Sequence, residues 1–195
     1  MKNFQTIREN QQLAIELRKY LEENKDFWLR YTGRQRTTHA LRYTEQIPLI
    51  VPTDANPNKT TSQWNDVLSL KYTEFYEDPV LRKSVDWIIE TLTDHFGKEP
   101  EIGRIFFSKL KAGHDVDPHV DSGKYFDKFD RFHFVVQGDE KTTFISGDDI
   151  QQLMPGFFFW TNNHIDHYLL NRSEQDRIVI ITDACPSGGP RFHSY

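Results

Sequence analysis

From residue 102 onward the chain is a succession of short apolar runs rich in Phe, Ile, Val and Thr. They are Ile102–Leu110, Arg131–Val136, Thr142–Ile145, Gly156–Trp160, His167–Leu170 and Arg177–Thr182, separated by clusters of Gly, Asp, Asn and Pro. Aromatic and β-branched side chains suit pleated strands, and the separating residues suit turns. Helical patterns come first. Ile7, Leu13, Ala14, Leu17, Tyr20 and Leu21 fall on a 3.6-residue stripe, which predicts a helix running through them. Asp26 is placed to cap a short helix through Phe27, Trp28 and Leu29, and an apolar run follows at Ile47–Val51. Asp78, Pro79 and Gly97 bracket a second long helix whose apolar positions are Leu81, Val85, Ile88, Ile89, Leu92 and Phe96. Helices followed by many short strands predict an α+β fold around a sandwich or small barrel. The 195 residues fit one domain. Its expected parts are mainly helical support over 1–100, a β core over 101–185 and a tail over 186–195. Residues 52–66 have turn composition without periodicity, as expected of a lid or a surface excursion.

Composition narrows the function classes. No apolar run approaches the roughly 18 residues of a membrane span, and the N-terminus lacks the apolar core of a secretory signal. A lone Cys185 excludes an internal disulfide framework and a cysteine-based zinc site, and fits a reducing, cytoplasmic setting. A net charge of −5 argues against general nucleic-acid binding. Locally, Arg30, Arg34, Arg36, His39 and Arg42 form a basic stretch, readable as a solvated face or as a contact for an acidic substrate.

Five of the eight histidines lie between residues 114 and 167. The sharpest feature among them is His119-Val120-Asp121. In an extended segment residues i and i+2 share a face, so this imidazole and carboxylate converge. One more imidazole completes the two-His, one-carboxylate face that holds ferrous iron with positions open. The triplet alone is weak, because chance supplies about one in a chain of this composition, and His164-Ile165-Asp166 is a second. Spacing favours the first. His167 follows 48 residues after His119 at the head of a β-rich run, and Arg177 opens the next run. Arg177, Val179 and Ile181 share one face, so the guanidinium points among apolar neighbours and requires an anion, which a carboxylate supplies in bidentate fashion. The alternative set built on His164 has only His193 downstream, with no strand-borne arginine after it.

His119-x-Asp121, His167 and Arg177, in that order, are what a ferrous 2-oxoglutarate-dependent oxygenase looks like. The stretch from about 102 to 183 resembles the aspartyl/asparaginyl β-hydroxylase family. The matching pieces are the run from Arg104 to Gly113, then Pro118 to Asp121, Arg131 to Val136, His167 to Asn171, and Arg177 to Asp183. His39 to Leu49 looks like the segment that precedes the core in bacterial relatives. The resemblance implies a double-stranded β-helix (jelly-roll, cupin-like) core with N-terminal and flanking helices. It implies His119, Asp121 and His167 as iron ligands, and Arg177 as partner of the distal 2-oxoglutarate carboxylate. Arg131 and His133, on one strand face, are implied as lining the cosubstrate pocket. The reaction implied consumes O2 and 2-oxoglutarate, hydroxylates an amino-acid side chain, free or in a peptide or protein substrate, and releases succinate and CO2. Two rivals use the same scaffold: a cupin-type metal-dependent isomerase or epimerase, and a non-catalytic binding module with partners on loop 52–66 and the basic stretch.

Overall fold

The computed structural model describes residues 2–31, 41–53 and 69–188. Arg34, Arg36 and His39 of the basic stretch lie outside them, as do most of loop 52–66 and the tail from 189, with His193. The described chain is mostly β-sheet with few helices. Strands β1 (Phe4–Glu9), β2 (Thr44–Pro52), β3 (Leu70–Tyr72), β4 (Pro100–Leu110), β6 (Asp130–Gln137), β9 (Phe157–Thr161) and β11 (Arg177–Pro186) form one antiparallel sheet. Its order is β1-β9-β6-β11-β4-β2-β3. Strands β5 (Asp115–His119), β7 (Thr142–Ser146), β8 (Asp149–Gln152) and β10 (His167–Asn171) form a second, ordered β5-β10-β7-β8.

The two-residue alternation of the apolar runs explains the layering. Ile105, Phe107, Phe132, Phe134, Ile178 and Ile180 face one side of the larger sheet, where the helices α1 (Gln11–Glu23) and α2 (Pro79–Phe96) cover them. Leu110, Val135, Phe159 and Val179 face the other side and pack against Val116, Phe144 and Leu169 of the smaller sheet. Strands β4, β6 and β11 are therefore buried on both faces, which is why they read as near-continuous hydrophobic runs. Asp78 caps α2 by accepting from the backbone N–H groups of Val80 and Leu81, both at 3.0 Å, and Gly97 ends it at φ +67°. A short helix, α3 (Lys124–Lys128), follows β5.

The first segment corrects the sequence reading. Residues 4–9 are not helical: they form β1, an edge strand paired with β9, and α1 begins only after Asn10 caps Leu13 N–H at 3.0 Å. Phe4 and Ile7, the half-buried positions of β1, stand three residues apart, with a register shift between Thr6 and Arg8. That spacing imitates a helix turn, and only the free edge of β9 decides otherwise. The first hundred residues thus contribute three strands to the larger sheet besides their helices. Asp26 is not a cap: it lies inside a 3-10 turn, Lys25–Leu29, whose N-cap is Asn24, and its carboxylate pairs with Arg30 one turn on. The run at Ile47 lies in β2.

Candidate active site

The space between the sheets is apolar at one end and ionic at the other. His167 of β10 stands directly opposite His119 at the end of β5, and their rings lie 4.3 Å apart between centroids. Asp121, two residues past His119, is tied in by its backbone N–H, which donates to Asn163 O at 3.0 Å. One ligand atom from each of His119, Asp121 and His167 lies within 4.8 Å of the others.

The hydrogen bonds fix what each group offers. Nδ1 of His119 is 2.8 Å from Asp117 O, and Nδ1 of His167 is 3.0 Å from Ile165 O. A carbonyl only accepts, so both Nδ1 atoms carry the proton and both Nε2 atoms present a lone pair. Burial works to raise the pKa of Asp121, but the Arg131 guanidinium, the two imidazoles and the Asn163 hydrogen bond outweigh it and hold the carboxyl below its usual range. Burial depresses His167 to about 4, against the pull of Asp121. Two imidazoles with Nδ1 tied to carbonyls and an ionised acid, all within reach of one point, fit a divalent transition metal.

A titration follows from this. Since the folded pKa of His167 is lowered from 6.5 to about 4, the unfolded chain holds a proton through that window that the folded chain lacks. In metal-free protein this stability is complete above pH 6.5 and is lost as the pH falls toward 4, by roughly 3 kcal/mol from His167 alone. His133, pushed well below its usual value by burial and by Arg177 and Arg131, acts in the same direction. Thermal unfolding in the presence of a chelator checks it; a midpoint flat from pH 7.5 to 5 counts against it.

Arg177 opens β11 on the inner face and is 3% exposed. It makes no ion pair among the described residues, its Nε has no hydrogen-bond partner, and burial alone lowers its pKa to about 9. The buried side chain of Asn171 pins the turn before it, donating to Lys111 O at 3.2 Å and Gln175 O at 3.0 Å. His133, stacked on Phe159, is buried with both ring nitrogens unpartnered. The β6–β11 register puts Arg131 opposite Asp183 and His133 opposite Ile181, so His133 sits between the Arg131 row and Arg177.

Arg131 behaves differently from Arg177. Its guanidinium is paired with both Asp121 and Asp183, and Asp183 also accepts from Arg104 Nε and from the Tyr125 hydroxyl at 3.1 Å. The sequence reading missed Asp183, Arg104, Tyr125 and Asn163. One signal was there: Asp183 continues the alternation of Arg177, Val179 and Ile181, so it had to face the same interior. His164 does not join the cluster. Of the basic stretch, Arg30 pairs with Asp26 at 3.0 Å and Arg42 with Asp117 at 2.7 Å, the latter beside the carbonyl that orients His119.

Set against known families, residues 2–186 match the model of the aspartyl/asparaginyl beta-hydroxylases. The chain belongs to that family. The match reaches well beyond residues 102–183, where the likeness is visible by eye, and takes in the N-terminal strand and both long helices. No curated protein matches the hydroxylase-family chain in sequence. Among solved structures, an oxidoreductase of the 2OG-Fe(II) oxygenase family from Burkholderia pseudomallei superposes with a TM-score of 0.55 at 11% identity, covering 94% of this chain and 93% of that one. The viral collagen prolyl hydroxylase of Paramecium Bursaria Chlorella virus-1 gives 0.53 at 10% identity, covering 94% and 95%. AerE from Microcystis aeruginosa aligns over 42% of this chain and 35% of its own length, at 20% identity and a TM-score of 0.34, too partial to bear on the fold. The fold is thus that of the cupin-like 2-oxoglutarate oxygenases. Family and fold point to the oxygenase class, and the His-Asp-His cluster suggests iron. No helix among the described residues is long and apolar enough to cross a membrane.

Proposed function

We propose that this member of the family is an Fe(II)- and 2-oxoglutarate-dependent hydroxylase of an amino-acid side chain, free or within a polypeptide. O2 is consumed, and succinate and CO2 are the co-products. Arg177 carries this reading. A guanidinium buried to 3% exposure with no anion among the described residues is costly unless a ligand supplies the charge. A dicarboxylate cosubstrate would supply a carboxylate to such a group. A metal-dependent isomerase or a binding module does not need Arg177 for a dicarboxylate.

Iron with 2-oxoglutarate and O2 would supply the oxidising power to hydroxylate an unactivated C–H bond, which no side chain provides. The protein's own part is positional. His119 and His167 present Nε2, with their Nδ1 protons held on carbonyls. Asp121 stays ionised beside Arg131. Arg177 would hold the far carboxylate of the cosubstrate. His133, neutral and unpartnered, lines the pocket between them with one donor and one acceptor. The jelly-roll sandwich excludes water behind them with Phe144, Phe159 and Val179.

The test is direct. Protein loaded with Fe(II) without oxygen is expected to develop a visible charge-transfer band on addition of 2-oxoglutarate. Admitting air should then convert 2-oxoglutarate slowly to succinate even without substrate. If the metal-loaded protein neither shows the band nor takes up 2-oxoglutarate, the reading is wrong.

A further inference from the structure

The ionic cluster behind Asp121 is larger than charge balance at a metal ligand requires. Arg131 lies between two carboxylates and uses different edges of its guanidinium for each. Nε donates to Asp183 Oδ1 at 2.8 Å and Nη2 to Asp183 Oδ2 at 3.3 Å, while Nη1 donates to Asp121 Oδ2. Asp183 is in turn held by Arg104 and by Tyr125, with its side chain 1% exposed. On Asp121 the donors are one-sided. Asn163 Nδ2, at 3.1 Å, reaches the same Oδ2 that Arg131 takes, and Oδ1 receives no hydrogen bond among the described residues.

We propose that Arg131 and Asp183 are positioning residues for the metal: Asp183 locks the guanidinium, and the locked guanidinium turns Asp121 so that Oδ1 alone faces the cation. This rests on the reading of His119, Asp121 and His167 as the iron site. A free carboxylate rotates about its last torsion and can chelate through both oxygens, closing a position that cosubstrate or O2 needs. Two donors on Oδ2 remove that freedom. Asp183 matters because a divalent cation arriving beside Asp121 repels the guanidinium that holds it. An arginine anchored only to Asp121 would withdraw and take its hydrogen bond along. Anchored side-on by Nε and Nη2, it cannot, and little side-chain entropy remains to be lost. Partners of this kind commonly contribute 10–100-fold to metal affinity.

Mn(II) alone is a sufficient probe, titrated into metal-free protein while the signal of free Mn(II) is followed by electron paramagnetic resonance. Asp183→Asn should weaken Mn(II) binding about 10–100-fold and shrink the rise in thermal midpoint that Mn(II) produces. That substitution leaves two buried guanidinium groups facing one carboxylate and can compromise folding. Asp183→Asn combined with Arg104→Met keeps the cluster neutral, since Arg104 lies over the rings of Phe106, Tyr125 and Phe126, where a thioether packs well. The double variant should show the same weakening. A purely structural role would lower the midpoint equally with and without Mn(II) and leave the dissociation constant alone, and that result overturns the proposal. If wild-type protein takes up no Mn(II), the iron-site reading falls and this one with it. If the wild type binds, His167→Ala does not, and the double variant binds like the wild type, the iron site stands and only the positioning claim fails.

Discussion

His167→Ala is expected to abolish metal binding and turnover together while the protein stays folded. The imidazole stands across the ladder from His119, 3% exposed, and its Nε2 is one of the three convergent donors. With it gone, one imidazole and one carboxylate remain, and a two-ligand site holds iron no better than many surface pairs. Loss of a supporting residue costs 10–100-fold in affinity, so loss of a ligand should exceed about 100-fold. Folding should survive, because β10 keeps its backbone ladders to β5 and β7, and removing the ring leaves only a small cavity beside Phe144. His164→Ala is the matched control. His164 lies three residues away outside the cluster, and its substitution should leave Mn(II) affinity within a factor of two or so of wild type. Metal binding retained by the first variant and lost in the second would transfer the ligand role to His164. Circular dichroism with Mn(II) titration separates either result from simple unfolding.

The site was legible where strand alternation reported it. Arg177 was readable as inward-facing because Val179 and Ile181 flank it on the same face, and the strand does bury it. His119 and His167 were harder. Nothing in composition pairs β5 with β10, and their meeting depends on a register that only the folded sheet displays. Asn163 was invisible for a related reason. It lies in the irregular segment after β9, and its role comes from a backbone and a side-chain hydrogen bond with Asp121 across 42 residues. In the fold, α2 was plain because Asp78, Pro79 and Gly97 are local signals with local consequences. β1 was not, since an edge strand with two half-buried side chains leaves no two-residue pattern to detect. Short strands such as β3 and β8 owe their existence to a neighbour's open edge rather than to their own composition.

Arg177→Met should separate stability from function in opposite directions. The guanidinium is buried without a counter-charge among the described residues, and the depression of its pKa to about 9 by burial measures how poorly the site tolerates a lone cation. An unbranched apolar side chain of similar length removes that cost. Replacing even a paired buried charge by packed apolar groups is often neutral or stabilising by about 1–4 kcal/mol. Arg177 has no paired carboxylate among the described residues to strand, so the ligand-free variant should unfold at a higher temperature than wild type. Cosubstrate binding should collapse at the same time. Each hydrogen bond from a charged donor is worth about 1.5–3 kcal/mol, and two of them lost together correspond to about 100-fold or more in the 2-oxoglutarate dissociation constant. Mn(II) affinity in the absence of cosubstrate should hardly change, because Arg177 touches none of the three ligands. Arg177→Lys belongs between the extremes, keeping the charge but losing the planar fork. A structural arginine behaves otherwise: its loss lowers the unfolding temperature and leaves 2-oxoglutarate affinity where it was. A more stable protein that no longer binds the dicarboxylate is the signature of a buried charge retained for a ligand.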